Sequence, residues 1–154
     1  MEINQLRRRE DLGEDTKVKK AYLQFEKLLK LLSSRDLPEQ VVVPINGDID
    51  ELNTIDNSGN ALRKQLKKKQ ASILTLLEKE CKLVPKNHYQ GTWMAIGMAV
   101  FGVPLGVVFG FALDNMAFMG IGLPIGLSFG LAIGAGMDKK AFEEGRQIDF
   151  EVSY

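Results

Sequence analysis

The sequence predicts an all-α membrane protein: a two-helix transmembrane hairpin preceded by an N-terminal cytoplasmic helical hairpin or small bundle. Three observations carry that prediction. Charge is segregated: the 154 residues hold 20 basic and 20 acidic side chains, yet between Lys86 and Asp138 the only charged residue is Asp114. A glycine-rich apolar phrase is written twice, GVPLGVVFG at 102–110 and GLPIGLSFG at 122–130. The charged first half carries apolar residues at spacings of three and four, the mark of amphipathic helices.

Residues 1–15 are polar and read as a flexible N-terminus with a basic run, Arg7-Arg8-Arg9. Over 16–34, Val18, Ala21, Tyr22, Phe25, Leu28, Leu29 and Leu32 line one face of a helix, which Leu37-Pro38 should end. "EQVVVPING" combines three valines, a proline and an Asn-Gly turn signal, so 38–47 reads as an extended linker, resting on the helices or pairing as an edge with a partner. Asp48 with Glu51 resembles a capping box and places a helix start there. A break is expected at Ser58-Gly59-Asn60, with Asn60 capping a helix that carries Leu62, Leu66, Ile73, Leu76, Leu77 and Leu83; the alternative is one longer helix with Gly59 as a weak point. Region 16–86 therefore reads as a cytoplasmic helical domain, an antiparallel pair or small bundle. Val84-Pro85 predicts a hinge before the apolar region, because the residue before proline avoids helical backbone; a continuous rod is the alternative.

Trp93 to Met137 is 45 residues with one charge, too long for one membrane span and right for two. The spans are placed at 93–113 and 117–137 within a hairpin region 87–138, with Asp114 and Asn115 in the turn. Each 21-residue span would be about 31 Å long at ~1.5 Å per residue. Lys82 and Lys86 precede the first span, Lys139 and Lys140 follow the second, and the turn has no basic residue. The positive-inside bias then puts both termini in the cytoplasm, with 139–154 as a cytoplasmic tail, and Tyr89 and Trp93 as interfacial anchors. The N-terminus has no apolar core of a secretory signal.

Glycine recurs every four residues, at Gly102, Gly106 and Gly110 in the first span and Gly122, Gly126, Gly130 and Gly134 in the second. Residues four apart share a helix face, so each span carries a stripe without side chains. In lipid, close backbone approach substitutes for the hydrophobic drive that associates helices in water. Pro104 predicts a kink near mid-span. Folding the hairpin about Asn115 sets Pro104 opposite Gly126 and Pro124 opposite Gly106. Ala95, Ala99, Ser128, Ala132 and Ala135 put small residues on further faces, which predicts contacts beyond one hairpin.

Residues 93–138 resemble the small bacterial glycine-zipper membrane proteins, whose hairpins carry Gly-x-x-x-Gly ladders with an Asp/Asn turn between. The resemblance implies glycine-zipper packing and a bacterial cytoplasmic membrane location, and it implies no reaction. The rotor-ring subunits of rotary ATPases are also glycine-rich hairpins, but they need a carboxylate in mid-span, and the acid here, Asp114, lies in the turn.

No catalytic, cofactor-binding or metal-ligating set is expected. His88 and Cys81 are the lone residues of their types, and no phosphate-binding glycine loop is present. Arg7–Arg9 and the cluster Arg63, Lys64, Lys67, Lys68 and Lys69 read as solvated faces before an acidic-partner, lipid or nucleic-acid site. The functional expectation is a non-enzymatic integral membrane subunit. It self-assembles or docks to a larger membrane complex through its glycine faces, while the cytoplasmic helices engage another protein. The alternative is an oligomeric pore or membrane-disrupting effector gated by the cytoplasmic domain.

Overall fold

The computed structural model describes residues 2–9, 16–56 and 59–152. The chain is mostly helical and divides into two compact units, one formed by Met1–Val84 with Ile148–Tyr154 and the other by Pro85–Gln147.

The first unit contains three helices, α1 (Thr16–Ser33), α2 (Glu39–Thr54) and α3 (Asn60–Cys81). Its core takes Phe25, Leu28 and Leu32 from α1, Ile45, Ile49 and Leu52 from α2, and Leu62, Leu66, Ile73 and Leu77 from α3. Each set is spaced by three, four or seven residues, so each helix offers one face and leaves its charged residues outside.

The extended linker expected at 38–47 is instead the start of α2, and Asp48 lies within that helix rather than at its beginning. Magnitudes explain the correction. A proline inside a helix costs about 3 kcal/mol, a glycine about 1, and each valine up to about 0.7 relative to alanine. Against this, Val41, Val42, Ile45, Ile49 and Leu52 are buried, at about 1.5–3 kcal/mol each. Pro44 and Gly47 lower the helix propensity of α2 without overcoming its apolar face. On the same helix Asp48 accepts from Lys69 Nζ of α3 at 2.7 Å, and Glu51 accepts from the same ammonium.

The N-terminal segment also departs from expectation. Residues 2–9 are not a loose end but lie extended along α2, with Ile3 and Leu6 packed against the core. Residues 10–15 of the expected flexible stretch lie outside the described residues, as does Ser58 of the expected break. The chain after residue 147 is likewise no free tail. Ile148 and Phe150 are fully buried in the first unit's core, and Gln24 Nε2 donates to Glu151 O at 3.0 Å.

Lys82 ends α3 in the left-handed conformation (φ 56°), so no continuous rod leads into the next helix. The chain leaves the first unit at β1 (Val84–Pro85) and returns at β2 (Gln147–Ile148), and these two short strands pair.

The second unit is a helical hairpin. Its first arm runs His88–Ala112 as α4 (His88–Gly97), a π-helical turn (Met98–Gly102) and α5 (Val103–Ala112). The second arm runs Met116–Glu143 as a 3₁₀ turn (Met116–Phe118) and α6 (Met119–Glu143). At 25 and 28 residues, both arms are long and apolar enough to cross a membrane.

The turn between the arms is explained residue by residue. Asp114 sits at φ 50°, with its N–H on Phe111 O and that of Asn115 on Gly110 O. This is the Schellman arrangement, which usually demands glycine but tolerates Asp and Asn. Asn115 then accepts from Ala117 N at 2.9 Å and caps the second arm. The far end of α6 uses the same device, with Gly145 at φ 69° and Arg146 N–H returning to Ala141 O.

Candidate functional site

The faces that the two arms turn toward each other are glycine. An added Cβ on Gly122 would run into Gly102 and Gly106. One on Gly126 would lie 2.5 Å from Gly102 N and Gly97 O. One on Gly130 would meet Trp93 and Met94, and one on Gly134 would lie 2.5 Å from Gln90 Cα. In the opposite direction, Gly106 faces the Met119 backbone, whereas Gly110 faces the side chains of Met119 and Met116. Backbone therefore rests on backbone from Tyr89 to Gly106, and the contact loosens toward the turn. A real Cβ does not approach backbone atoms this closely, so the arms would have to part to admit one.

This register corrects the one expected from folding at Asn115. Gly126 meets Gly97 and Gly102 rather than Pro104, and Gly106 meets Met119 rather than Pro124. Both prolines are exposed on the outside of the hairpin. Facing glycines bring the helix axes closer than a proline ring against a glycine would.

Gly97 belongs to the contact face and was missed, because it lies five residues before Gly102 and breaks the rule of four. The π-helical turn resolves this. Val103 N–H donates to Met98 O, five residues back, so Met98–Gly102 holds one residue more than an α-turn and returns Gly97 to the glycine face. The same turn lies directly before Pro104, which has no N–H to give to the carbonyl of Val100. A register correction by the π turn therefore lies just ahead of the proline where the sequence suggested a kink. A five-residue gap just ahead of a proline was the available signal.

Asp138 was also missed. It stood as the charge that closes the second span, but it is 8% exposed and faces the start of the first arm. Its Oδ1 accepts from Tyr89 N at 3.1 Å and its Oδ2 from Gln90 N at 2.9 Å. The residue at the N-cap position, Asn87, is left-handed (φ 57°) and makes no side-chain cap. A carboxylate on α6 therefore satisfies the unpaired N–H groups of α4 and sits at the positive end of its dipole.

Tyr89 and Trp93 are half-buried at this end, where the Tyr89 and Trp93 carbonyls face Gly134 and Gly130. Arg146 bonds Glu144, and its bonds to Glu144 and then to Tyr89 push its guanidinium pKa up further. Cys81 is half-buried at the end of α3, and burial raises its thiol above the usual range. Among the described residues, no three His, Cys, Asp or Glu side chains gather as a metal site would require.

The outer face of α6 has a small-residue stripe of its own. Gly120, Pro124, Ser128, Ala132 and Gly136 follow at steps of four, offset by two residues from the buried glycines, so they lie on the far side of the helix. All are exposed, and a Cβ on Gly120 or Gly136 would meet nothing within 4 Å. Ser128 Oγ donates to Pro124 O at 2.7 Å, and an open groove runs past Pro124, Ser128, Phe129 and Ala132.

No family model, curated protein or solved structure matches the chain.

Proposed function

We propose that the chain is a non-enzymatic integral membrane subunit of a bacterial cytoplasmic membrane. The Pro85–Gln147 hairpin spans the bilayer as a glycine zipper, both termini are cytoplasmic, and the α1–α3 unit engages another protein. The observation that carries this reading is the distribution of apolar surface. Val100, Phe101, Val103, Val108, Phe111, Leu123, Phe129 and Ile133 all point out of the hairpin, whereas its inner face is glycine. In water that arrangement is inverted, with about eight large apolar side chains solvated and nothing bulky buried between the helices. In a bilayer it is the expected one, since lipid solvates the side chains and small residues let the helices touch.

The buried glycines are already used within one hairpin, so self-assembly or docking falls to the outer stripe from Gly120 to Gly136. This also weighs against the pore alternative, which needs glycine carbonyls facing a lumen. The topology is tested with Asp114→Cys in a Cys81→Ser background, labelled on intact cells by an impermeant maleimide. Labelling without permeabilisation is expected. Protection until the membrane is opened would overturn the proposed orientation, and recovery of the protein after alkaline carbonate extraction in the soluble fraction would overturn insertion itself. For assembly, native mass spectrometry from mild detergent is expected to show an oligomer or a stoichiometric partner. Gly120→Leu with Gly136→Leu should reduce it to a single copy.

A further inference from the structure

The contact between residues 2–9 and α2 repeats with a period of three on one side and seven on the other. Asn46 Oδ1 accepts from Asn4 N at 2.8 Å, and Asn46 Nδ2 donates to Glu2 O at 3.0 Å. Asn53 does the same three residues along the segment, accepting from Arg7 N at 2.7 Å and donating to Gln5 O at 3.2 Å. Seven residues of helix rise about 10.5 Å, and three residues of extended chain advance about 9–10 Å. Two side-chain amides two turns apart therefore match two backbone units three residues apart.

Burial follows the same period. Ile3, Leu6 and Arg9 are half-buried, while the residues between them are exposed. Ile3 and Leu6 pack on the core. Arg9 donates to Leu52 O at 3.1 Å, a carbonyl that also accepts from Ile55 N, and to Ile55 O, at the C-terminal end of α2, where a cation is favoured. Tyr22 of α1 adds a hydroxyl donated to Arg7 O at 2.7 Å, and burial holds that phenol above its usual pKa. A crevice remains between the segment and α1, lined by Glu26, Leu29, Lys30 and Ser33.

Both asparagines hold the backbone of the segment and not its side chains. Asn4 Nδ2 adds an exposed side-chain bond to Asp50 Oδ1 at 3.0 Å, but the asparagine pair itself fits an extended chain whose anchors fall at every third residue, the repeat of a polyproline-II strand. We infer that α2, with Asn46 and Asn53 as its backbone clamps, is a peptide-docking groove for an extended segment of a partner protein with the pattern aliphatic-x-x-aliphatic-x-x-Arg, and that residues 2–9 are its built-in competitor. The groove gives the α1–α3 interaction module its ligand and rests on that part of the proposed function. A tethered competitor acts at an effective concentration of the order of millimolar, so the groove opens only to partners that bind more tightly or that arrive already concentrated at the membrane.

The test uses the full chain in detergent and a fluorescein-labelled peptide of residues 2–9 as probe, read by anisotropy. A variant lacking residues 2–9 is expected to bind the probe at least about 100-fold more tightly than the intact chain. Adding Asn46→Ala and Asn53→Ala to that variant should abolish binding. A probe with Ile3→Ala and Leu6→Ala should not bind, whereas one with Gln5→Ala should bind as before. A truncated chain that keeps its cooperative melt and does not bind the probe overturns the inference, as does equal binding with and without the two asparagines. Should the truncation unfold the unit, hydrogen exchange of the intact chain decides. Excess unlabelled peptide must accelerate exchange at the Asn4 and Arg7 amides, and unchanged exchange overturns the groove. None of these readouts needs an assembled complex, so their failure is distinct from failure of the assembly reading, which native mass spectrometry decides.

Discussion

In the α1–α3 unit, the facing positions of the helices are filled by large apolar side chains such as leucine, isoleucine and phenylalanine. In the hairpin, the facing positions are glycine, and the large side chains stand outside. The same element, a long helix, is held in opposite ways, and the proposed membrane location of the hairpin accounts for the difference. Water drives the first unit to hide apolar surface, at roughly 25 cal/mol per Å². Lipid offers no such drive, so contact between helices rests on dispersion and the absence of side chains. Glycine shows the contrast most sharply. Gly47 of α2 faces open space, whereas a Cβ on Gly126 would lie 2.5–2.6 Å from Gly102 backbone atoms.

The strongest way to break the comparison is to add one methyl group on each side of it. Gly126→Ala is expected to destabilise the hairpin by about 3 kcal/mol, since backbone atoms cannot yield as a side chain would. Gly120→Ala or Gly136→Ala, on the same helix but facing out, should stay within about 0.5 kcal/mol in the single copy. Thermal unfolding in detergent measures both, and an unchanged melt for Gly126→Ala would mean that the arms do not touch there.

Next in size is Asp138→Asn. The amide offers one acceptor where Tyr89 N–H and Gln90 N–H need two, and it turns a donor toward a donor. A loss of about 2–3 kcal/mol is expected for a charge-assisted pair at a buried site. Asp138→Glu should recover part of it. Equal stability of the Asn variant would show that the carboxylate is not what holds α4 to α6.

In the α1–α3 unit the expected sign reverses. Gly47→Ala should stabilise the α1–α3 unit by about 0.5–1 kcal/mol, because a Cβ there meets nothing and alanine is the better helix former. Destabilisation would indicate that this face of α2 is covered.

The smallest effect is the pH dependence of the α2–α3 clamp. The bonds to Asp48 and then Glu51 raise the Lys69 pKa, and the Lys69 bond lowers that of Glu51. A raised lysine stabilises fully below its unfolded value, about 10.4, and a lowered glutamate fully above its own, about 4.3. The difference in melting temperature between the natural chain and Lys69→Met should therefore be constant from about pH 5 to pH 10. It should shrink as pH falls through the lowered Glu51 value and as it rises through the raised Lys69 value. A difference that persists at pH 3 would place the effect in packing of the lysine stem instead.

Much of this was legible in the amino acids. The segregation of charge, two long apolar runs, the Asp114-Asn115 turn and the leucine spacing of α1 and α3 are local patterns, and each is decided by residues within a few turns of one another. Three features were not. Helix α2 is written in valines, a proline and an Asn-Gly pair, and its helical state follows from the partners that bury Val41, Ile45 and Ile49. The place of Gly97 depends on a π turn that no spacing rule of four anticipates. Asp138 reads as the end of a span, and becomes a cap only when the hairpin brings it to Tyr89 and Gln90, 49 and 48 residues away. By itself, then, the sequence determined what every segment but α2 is: apolar or charged, helix-forming, broken at the turn. The register between segments, and with it the roles of Gly97, Asp138, Asn46 and Asn53, was decided only in the tertiary structure, because those roles belong to pairs of residues that local chemistry does not bring together.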